Sequence, residues 1–323
     1  MTAVRSLSRR GALAAAALPM LFVRPAAAAG EKLLIVTGLQ STYSIARALA
    51  KDTGIEVQAG FPPDVGMEEQ ASYLSKKRRA DFIAAAKRAD AAITIRRIWN
   101  LDPLFSAVRA QNIRVIEIDA STPFAPEMAG VALLETAKLQ GAEGEHRPGT
   151  ASPYIWLSLT NVVRMTDIVA ADLRRLSETD AKTIERNQQQ FRASILALRA
   201  QFDGKLADVD NPAVILLSSD LGYLVTDLGL DITASFAKSD FDWKDADLQA
   251  LLDKMAKSGT RVVLAAHQPK DKIAAAIKTA GGHLAVLDMI DPGKAGQDDQ
   301  LDPDGLLKAT RSNLDALLTA LTA

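Results

Sequence analysis

The sequence predicts an α/β protein with two similar lobes. Each lobe is expected to hold a mostly parallel four-stranded sheet, and one long rigid helix joins them. Three observations predict this. Short apolar runs bounded by Gly, Pro and Asp alternate with amphipathic helical patterns, as parallel strands linked by crossover helices require. The rhythm occurs twice, with four strands each time. Between the two occurrences a helical pattern covers 179–206 without Pro and with its one Gly, Gly204, at the end.

The elements follow in order. Residues 32–38 form a short apolar run ending in Gly38 and read as a buried strand. Ser41 is placed to cap the next segment, where Ile45, Ala48 and Leu49 recur at helical spacing. A second strand, 55–61, alternates and stops at Pro62-Pro63. Residues 76–90 are helical, with Phe82, Ile83 and Ala86 inward. A third strand covers 91–95, a helix 103–110 and a fourth strand 114–119. The polar stretch 140–152, with Gly141, Gly144, Pro148 and Gly149, reads as a surface loop. Two helices without an intervening strand follow, 158–176 and 179–206; the second carries Ile184, Phe191, Ile195, Leu198 and Phe202 on one side. Then strands are expected at 213–219, 232–236, 261–266 and 283–288, and helices at 221–228, 247–258, 270–280 and 303–321. Open parallel sheets bind ligands at the carboxyl ends of their strands, so a cleft is expected between the lobes.

Composition narrows the chemistry. The chain has 323 residues, no cysteine, and 38 basic against 39 acidic side chains. A chain this long buries enough apolar surface to fold without staples. The missing cysteine excludes disulfide frameworks, zinc fingers, cysteine-ligated clusters and thiol nucleophiles. Near-zero net charge gives no electrostatic footprint for nucleic acid.

The first 29 residues stand apart. Arg9-Arg10 follow Ser8, an apolar run covers 11–22, and Arg24-Pro25 lead into Ala26-Ala27-Ala28-Ala29. A basic start, a short apolar core and a small-residue cleavage site make an export signal. The apolar core is too short for a bilayer, which takes about 20 residues. Ser-Arg-Arg-Gly-Ala-Leu looks like a twin-arginine signal; an ordinary secretory signal with adjacent arginines is the alternative. Without Cys at the cleavage site no lipid anchor is expected. The chain therefore divides into 1–29 (export signal), 30–178 (N-terminal lobe), 179–206 (linking helix) and 207–323 (C-terminal lobe), and the product is expected in the periplasm as a monomer.

Catalytic motifs are missing. There is no Gly-x-Gly-x-x-Gly, no P-loop and no Gly-x-Ser-x-Gly elbow. The three histidines, His146, His267 and His283, have no zinc-ligand spacing. No set of nucleophile, base and orienting group assembles, so the chain reads as a binding protein and not an enzyme. An exported enzyme with Glu68 and Asp288 as an acid/base pair is the competing class.

Several segments, taken in order, carry a resemblance: Phe61-Pro62-Pro63-Asp64-Val65, Ser152-Pro153-Tyr154-Ile155-Trp156-Leu157, Ser218-Ser219-Asp220-Leu221-Gly222-Tyr223 with Leu228-Gly229-Leu230, Ala266-His267-Gln268, and Val286-Leu287-Asp288. On this architecture and behind an export signal, they resemble the periplasmic solute-binding receptors of zinc- and manganese-type ABC importers. The resemblance implies two lobes on a rigid helix, a metal ion in the cleft, and an inner-membrane ABC permease as partner. It also exposes departures. The family's first metal histidine falls at Glu68, the second at Tyr154 and the third at Ser218; its Glu-Pro-Gln acid falls at Ala266, beside His267. Asp288 matches the last acid. The candidate metal site is therefore Glu68, Tyr154, Asp220, His267 and Asp288, an oxygen-rich set that suits a harder divalent or trivalent ion better than zinc. Arg96-Arg97 and Trp99 follow the third strand, where the family's cleft loop lies. The arginines would either pair with Glu68 or Glu69 and lock the cleft, or grip an anion or a chelated ion. A metal ion, another small ligand and no ligand all stay open.

Overall fold

The computed structural model describes residues 32–75, 80–134, 151–298 and 300–323. The expected export signal, the start of the expected 76–90 helix, and most of the expected 140–152 loop with His146 lie outside the described residues.

The N-terminal sheet contains β1 (Leu33–Thr37), β2 (Ile55–Ala59), β3 (Ala91–Thr94) and β4 (Ile116–Asp119). Its order is β2-β1-β3-β4, with every pair parallel. Its helices are α1 (Gln40–Leu49), α2 (Met67–Ser75), α3 (Ala80–Arg88) and α4 (Leu104–Gln111). Two long helices follow, α5 (Leu159–Leu176) and α6 (Ala181–Leu206). The C-terminal sheet contains β5 (Ala213–Leu216), β6 (Asp231–Ser235), β7 (Val262–Ala265) and β8 (His283–Val286), again parallel, in the order β6-β5-β7-β8. Its helices are α7 (Gly222–Asp227), α8 (Asp245–Ser258), α9 (Asp271–Thr279) and α10 (Gly305–Thr322). Two parallel four-stranded sheets with helices are the architecture the sequence rhythm predicts. No helix among the described residues is long and apolar enough to cross a membrane.

Strand alternation sets the layers. Ile35 of β1 faces a central core, while Leu34 and Val36 face an outer one with Phe82, Leu104 and Val108. In the second sheet Val214 and Leu216 face the central core, and Ile215 and Val263 pack outward on Leu251 and Ile277. The central core also takes residues from α1, α5, α6 and α10, so one apolar body runs from sheet to sheet. Each fully buried Leu or Ile there contributes about 1.5–3 kcal/mol.

Helix α6 is unbroken, and Ile184, Phe191, Ile195, Leu198 and Phe202 are all buried. The polar run that interrupts this stripe has a structural cause. Buried Asn187 donates to Leu49 O (3.0 Å) and Lys51 O (2.6 Å), tying α6 to the end of α1.

One local expectation is corrected. Ser41 does not cap α1: it lies inside the helix, whose N-cap is Leu39 without a side-chain bond. Helix α2 occupies a stretch to which the sequence reading assigns no element. Met67, Gln70 and Leu74 bury one face of it. Its sequence supplies no capping side chain, and the acceptor for Met67 N–H is Asp291, from the other half of the chain.

In each sheet the strand order reverses direction beside the first strand, between β1 and β3 and between β5 and β7. Loops at such switch points are where a crevice opens.

Candidate functional site

Tyr154 stands just before a short helical turn, Ile155–Leu157, that is pinned to residues of the second half. Trp156 Nε1–H donates to Met289 O at 2.9 Å. Tyr223 Oη–H donates to Ser152 O at 3.2 Å. Tyr154 N–H donates to Ser152 Oγ at 3.3 Å, and its ring meets Trp156 edge-on with centroids 5.4 Å apart. These bonds hold the phenol at the junction between the halves.

Three carboxylates act on the Tyr154 hydroxyl through their charge. Burial drives its ionisation well above the ordinary tyrosine value, and the charges of Asp291, Asp220 and Glu68 push it further in that order. Glu68 is exposed in the first turn of α2, next to Glu69. Acidic residues are favoured there by the positive end of the helix dipole. Asp220 follows β5 and accepts a long 3.5 Å bond from Ser218 Oγ.

Asp291 is the member that the sequence reading missed. Both its oxygens accept Met67 N–H, at 3.1 and 3.2 Å, so a loop after β8 closes onto the start of α2. Burial raises its carboxyl to about 6; Met67 N–H opposes this, and Glu68 and Glu69 add to it. A half-buried carboxylate whose charged neighbours are acids favours a cation beside it. The available signal was a second Asp in the same loop as Asp288, three residues on and next to Pro292.

The other expected residues are placed differently. The Asp288 carboxylate ion-pairs with Lys294 Nζ at 3.0 Å and accepts Ile290 N–H at 2.8 Å. Its backbone is clamped by Asn313, whose Oδ1 accepts Asp288 N–H and whose Nδ2 donates to Asp288 O, both at 2.7 Å. His267 is exposed and lies 3.6 Å from Asp240. Arg96 does not reach Glu68 or Glu69: it forms a fork on Glu117 at 2.7 and 2.8 Å, with its guanidinium 5.5 Å from the Phe105 ring centre. The Glu117 bond fixes Arg96 within its own half. Arg97 donates its backbone N–H to Asp119 at 2.8 Å, and its side chain is exposed. Trp99 packs half-buried on the central core.

The groups that act on Tyr154 are carboxylates from two halves of the chain. In this conformation no three His, Asp or Glu side chains among the described residues stand close enough to chelate one ion.

The family described as zinc-uptake complex component A, periplasmic, matches this chain over residues 35–320. Among solved structures, a mutant of FpvC from Pseudomonas aeruginosa superposes with a TM-score of 0.69 at 19% identity, covering 90% of this chain and 99% of that one. FpvC in complex with Mn2+ gives 0.65 at 19% identity, covering 90% and 99%. The metal-dependent lipoprotein YcdH of Bacillus subtilis gives 0.69 at 18% identity, covering 90% and 100%. No curated protein matches the sequence.

Proposed function

This chain belongs to the family of periplasmic component A of zinc-uptake complexes, and we propose that it is an exported receptor that captures a metal ion and hands it to an inner-membrane ABC permease. The observation that carries the reading is Asp291: a half-buried carboxylate from one half, set against the α2 start of the other, with acids and a phenol as its charged or titratable neighbours.

The proposed donors are Glu68, Tyr154, Asp220 and Asp291, with Asp288 behind them orienting the loop through Lys294. His267 is a further nitrogen donor from the rim. Carboxylate and phenol oxygens select a hard ion such as manganese or ferric iron over a three-histidine zinc. Solved FpvC structures hold Ni2+ and Mn2+, and a ZnuA structure holds zinc. Capture draws the acids toward Tyr154, and the loss of acid–acid repulsion supplies the coupling to lobe closure. In this reading 30–178 and 207–323 move as bodies about 179–206. A continuous helix lacks the loop hinges that absorb large dihedral changes, so the motion is small. The work is binding rather than catalysis. The chain acts as a periplasmic monomer, delivered by its twin-arginine-like signal.

Elemental analysis of the exported protein, with titration of Mn2+, Fe3+ and Zn2+ against melting temperature, tests this. Manganese or iron should raise the midpoint at stoichiometric loading. No response to any of the three ions would refute it. The separation of the acids in this conformation favours a second reading, a receptor for an anionic or chelated ligand gripped by Arg97 beside Trp99. A midpoint that rises with a metal chelate but not with the free ion would select it.

A further inference from the structure

The loop between β8 and α10 belongs by sequence to the C-terminal half, yet Asp291, Lys294, Gln300 and Asp302 all bond to the N-terminal half. Asp291 accepts Met67 N–H of α2, and Gln300 Oε1 accepts Ala59 N–H, at the end of β2, at 2.8 Å. Between these two points the loop folds back as a short hairpin. Ala295 pairs antiparallel with Leu301, and Asp302 N–H donates to Lys294 O at 2.8 Å. The stem of the hairpin, Lys294 with Asp302, rests on Gln40, the first residue of α1.

Gln40 is 3% exposed, and both ends of its amide are used. Oε1 accepts Lys294 N–H at 2.9 Å. Nε2 donates to Asp302 O at 2.8 Å and to Ser44 Oγ at 2.9 Å. One planar group thus joins the two stem residues. An amide accepts at one atom and donates at the other, which neither a carboxylate nor an ammonium can do. The space around it is cut to fit. A Cβ on Gly305 would stand 2.6 Å from Gln40 Cδ and Nε2, and one on Gly293 would stand 3.1 Å from Oε1.

Lys294 stands three residues after Asp291. Three residues span at most about 11 Å, so fixing Lys294 against α1 confines where the Asp291 carboxylate can reach. The Lys294 side chain in turn pairs with Asp288. Gln40 therefore fixes the backbone from which one aspartate reaches α2 while the other is held aside. We infer that Gln40 is a positioning residue for Asp291: its amide pins the 294–302 hairpin to α1 and so keeps the Asp291 carboxylate on the α2 start. That Asp291 then serves as an ion donor rests on the receptor reading; its placement by Gln40 does not.

Gln40→Met keeps an unbranched side chain of similar length and removes its bonds to the hairpin. In metal-free protein, hydrogen exchange at the Met67 amide should accelerate at least about tenfold beyond any change at Val214 of β5, because the amide loses its acceptor. No acceleration at Met67, or an equal one at Val214, overturns the inference whether or not the chain binds an ion. With Mn2+ alone as the probe, the variant should bind at least about tenfold more weakly than wild type, and the same substitution should cost no further affinity in an Asp291→Asn background. Full affinity alongside an accelerated Met67 amide, or an equal loss in the Asp291→Asn background, overturns the link to the donor. A wild type that ignores Mn2+ refutes the receptor reading, and the exchange result still decides the placement. Gly305→Ala forces the Gln40 amide aside at the start of a helix that tolerates Ala, and it gives the same readouts should Gln40→Met fail to fold.

Discussion

Asp102 offers the sharpest test of the electrostatics beside the cleft. It is 5% exposed and closes the loop between β3 and α4. Oδ1 accepts Leu104 N–H at 2.9 Å and Oδ2 accepts Ile95 N–H at 3.4 Å. Burial raises its carboxyl from 3.8 to about 6; the two backbone bonds oppose this, and Asp119 and Glu117 add to it. At about 1.4 kcal/mol for each tenfold change in the ionisation constant, the ionised form in the folded chain costs about 3 kcal/mol. The sign follows from linkage. The folded state holds the proton more tightly than the unfolded state, so this stability is complete below pH 3.8 and is lost as pH rises through 6. Asp102→Asn removes the titration, keeps the acceptor for Leu104 and gives up the longer Ile95 bond, a loss of about 1 kcal/mol. The variant should therefore be about 0.5 kcal/mol less stable than wild type at pH 4 and about 2 kcal/mol more stable at pH 8. Urea unfolding with chelator present, followed by tryptophan fluorescence between those limits, measures the difference. Working with the difference cancels Asp291, which titrates in the same direction in both proteins. A difference that stays flat with pH, or that grows toward acid, would refute the reasoning.

Three other outcomes are expected. Asp291→Asn should abolish the Mn2+-induced rise in melting temperature, a loss of more than about tenfold in affinity or about 1.4 kcal/mol, while Asp288→Asn keeps most of it; the reverse ranking would move the donor back to Asp288. Asn187→Ala strands the Leu49 and Lys51 carbonyls and should cost about 2–3 kcal/mol in urea unfolding; a loss below about 0.5 kcal/mol would mean that the clamp is irrelevant to stability. Lys-Lys in place of Arg9-Arg10 should leave precursor in the cytoplasm, and normal export of that variant would show a general secretory route.

The fold was legible because its signals are local. Ile35 and Val57 in short apolar runs, Pro62-Pro63 after β2 and the spacing from Ile184 to Phe202 each act within a few residues. Helix α2 was not legible for the complementary reason: its Met67 N–H is met by a carboxylate 224 residues away, which no window on the sequence contains. Ser41 shows the same limit, since its hydroxyl has the chemistry of a cap but was carried inside α1 by the chain's path out of β1.

The candidate site divides along the same line. Sequence alone offered the candidate donors: no cysteine, no histidine set, and carboxylates with a tyrosine on strand ends and loops. It also offered Glu68, Tyr154 and Asp288 as residues on strand ends and cleft loops able to converge. Only the tertiary structure distinguishes the two aspartates after β8, since Asp291 and not Asp288 acts on Tyr154 through its charge. Asp288 and Asp291 share one loop and one chemistry, and the choice rests on Lys294 and Asn313 holding the first while Met67 N–H draws in the second. Residue type sets what a side chain bonds to. Its partner is set by the path of the backbone, which here depends on contacts between the two halves of the chain.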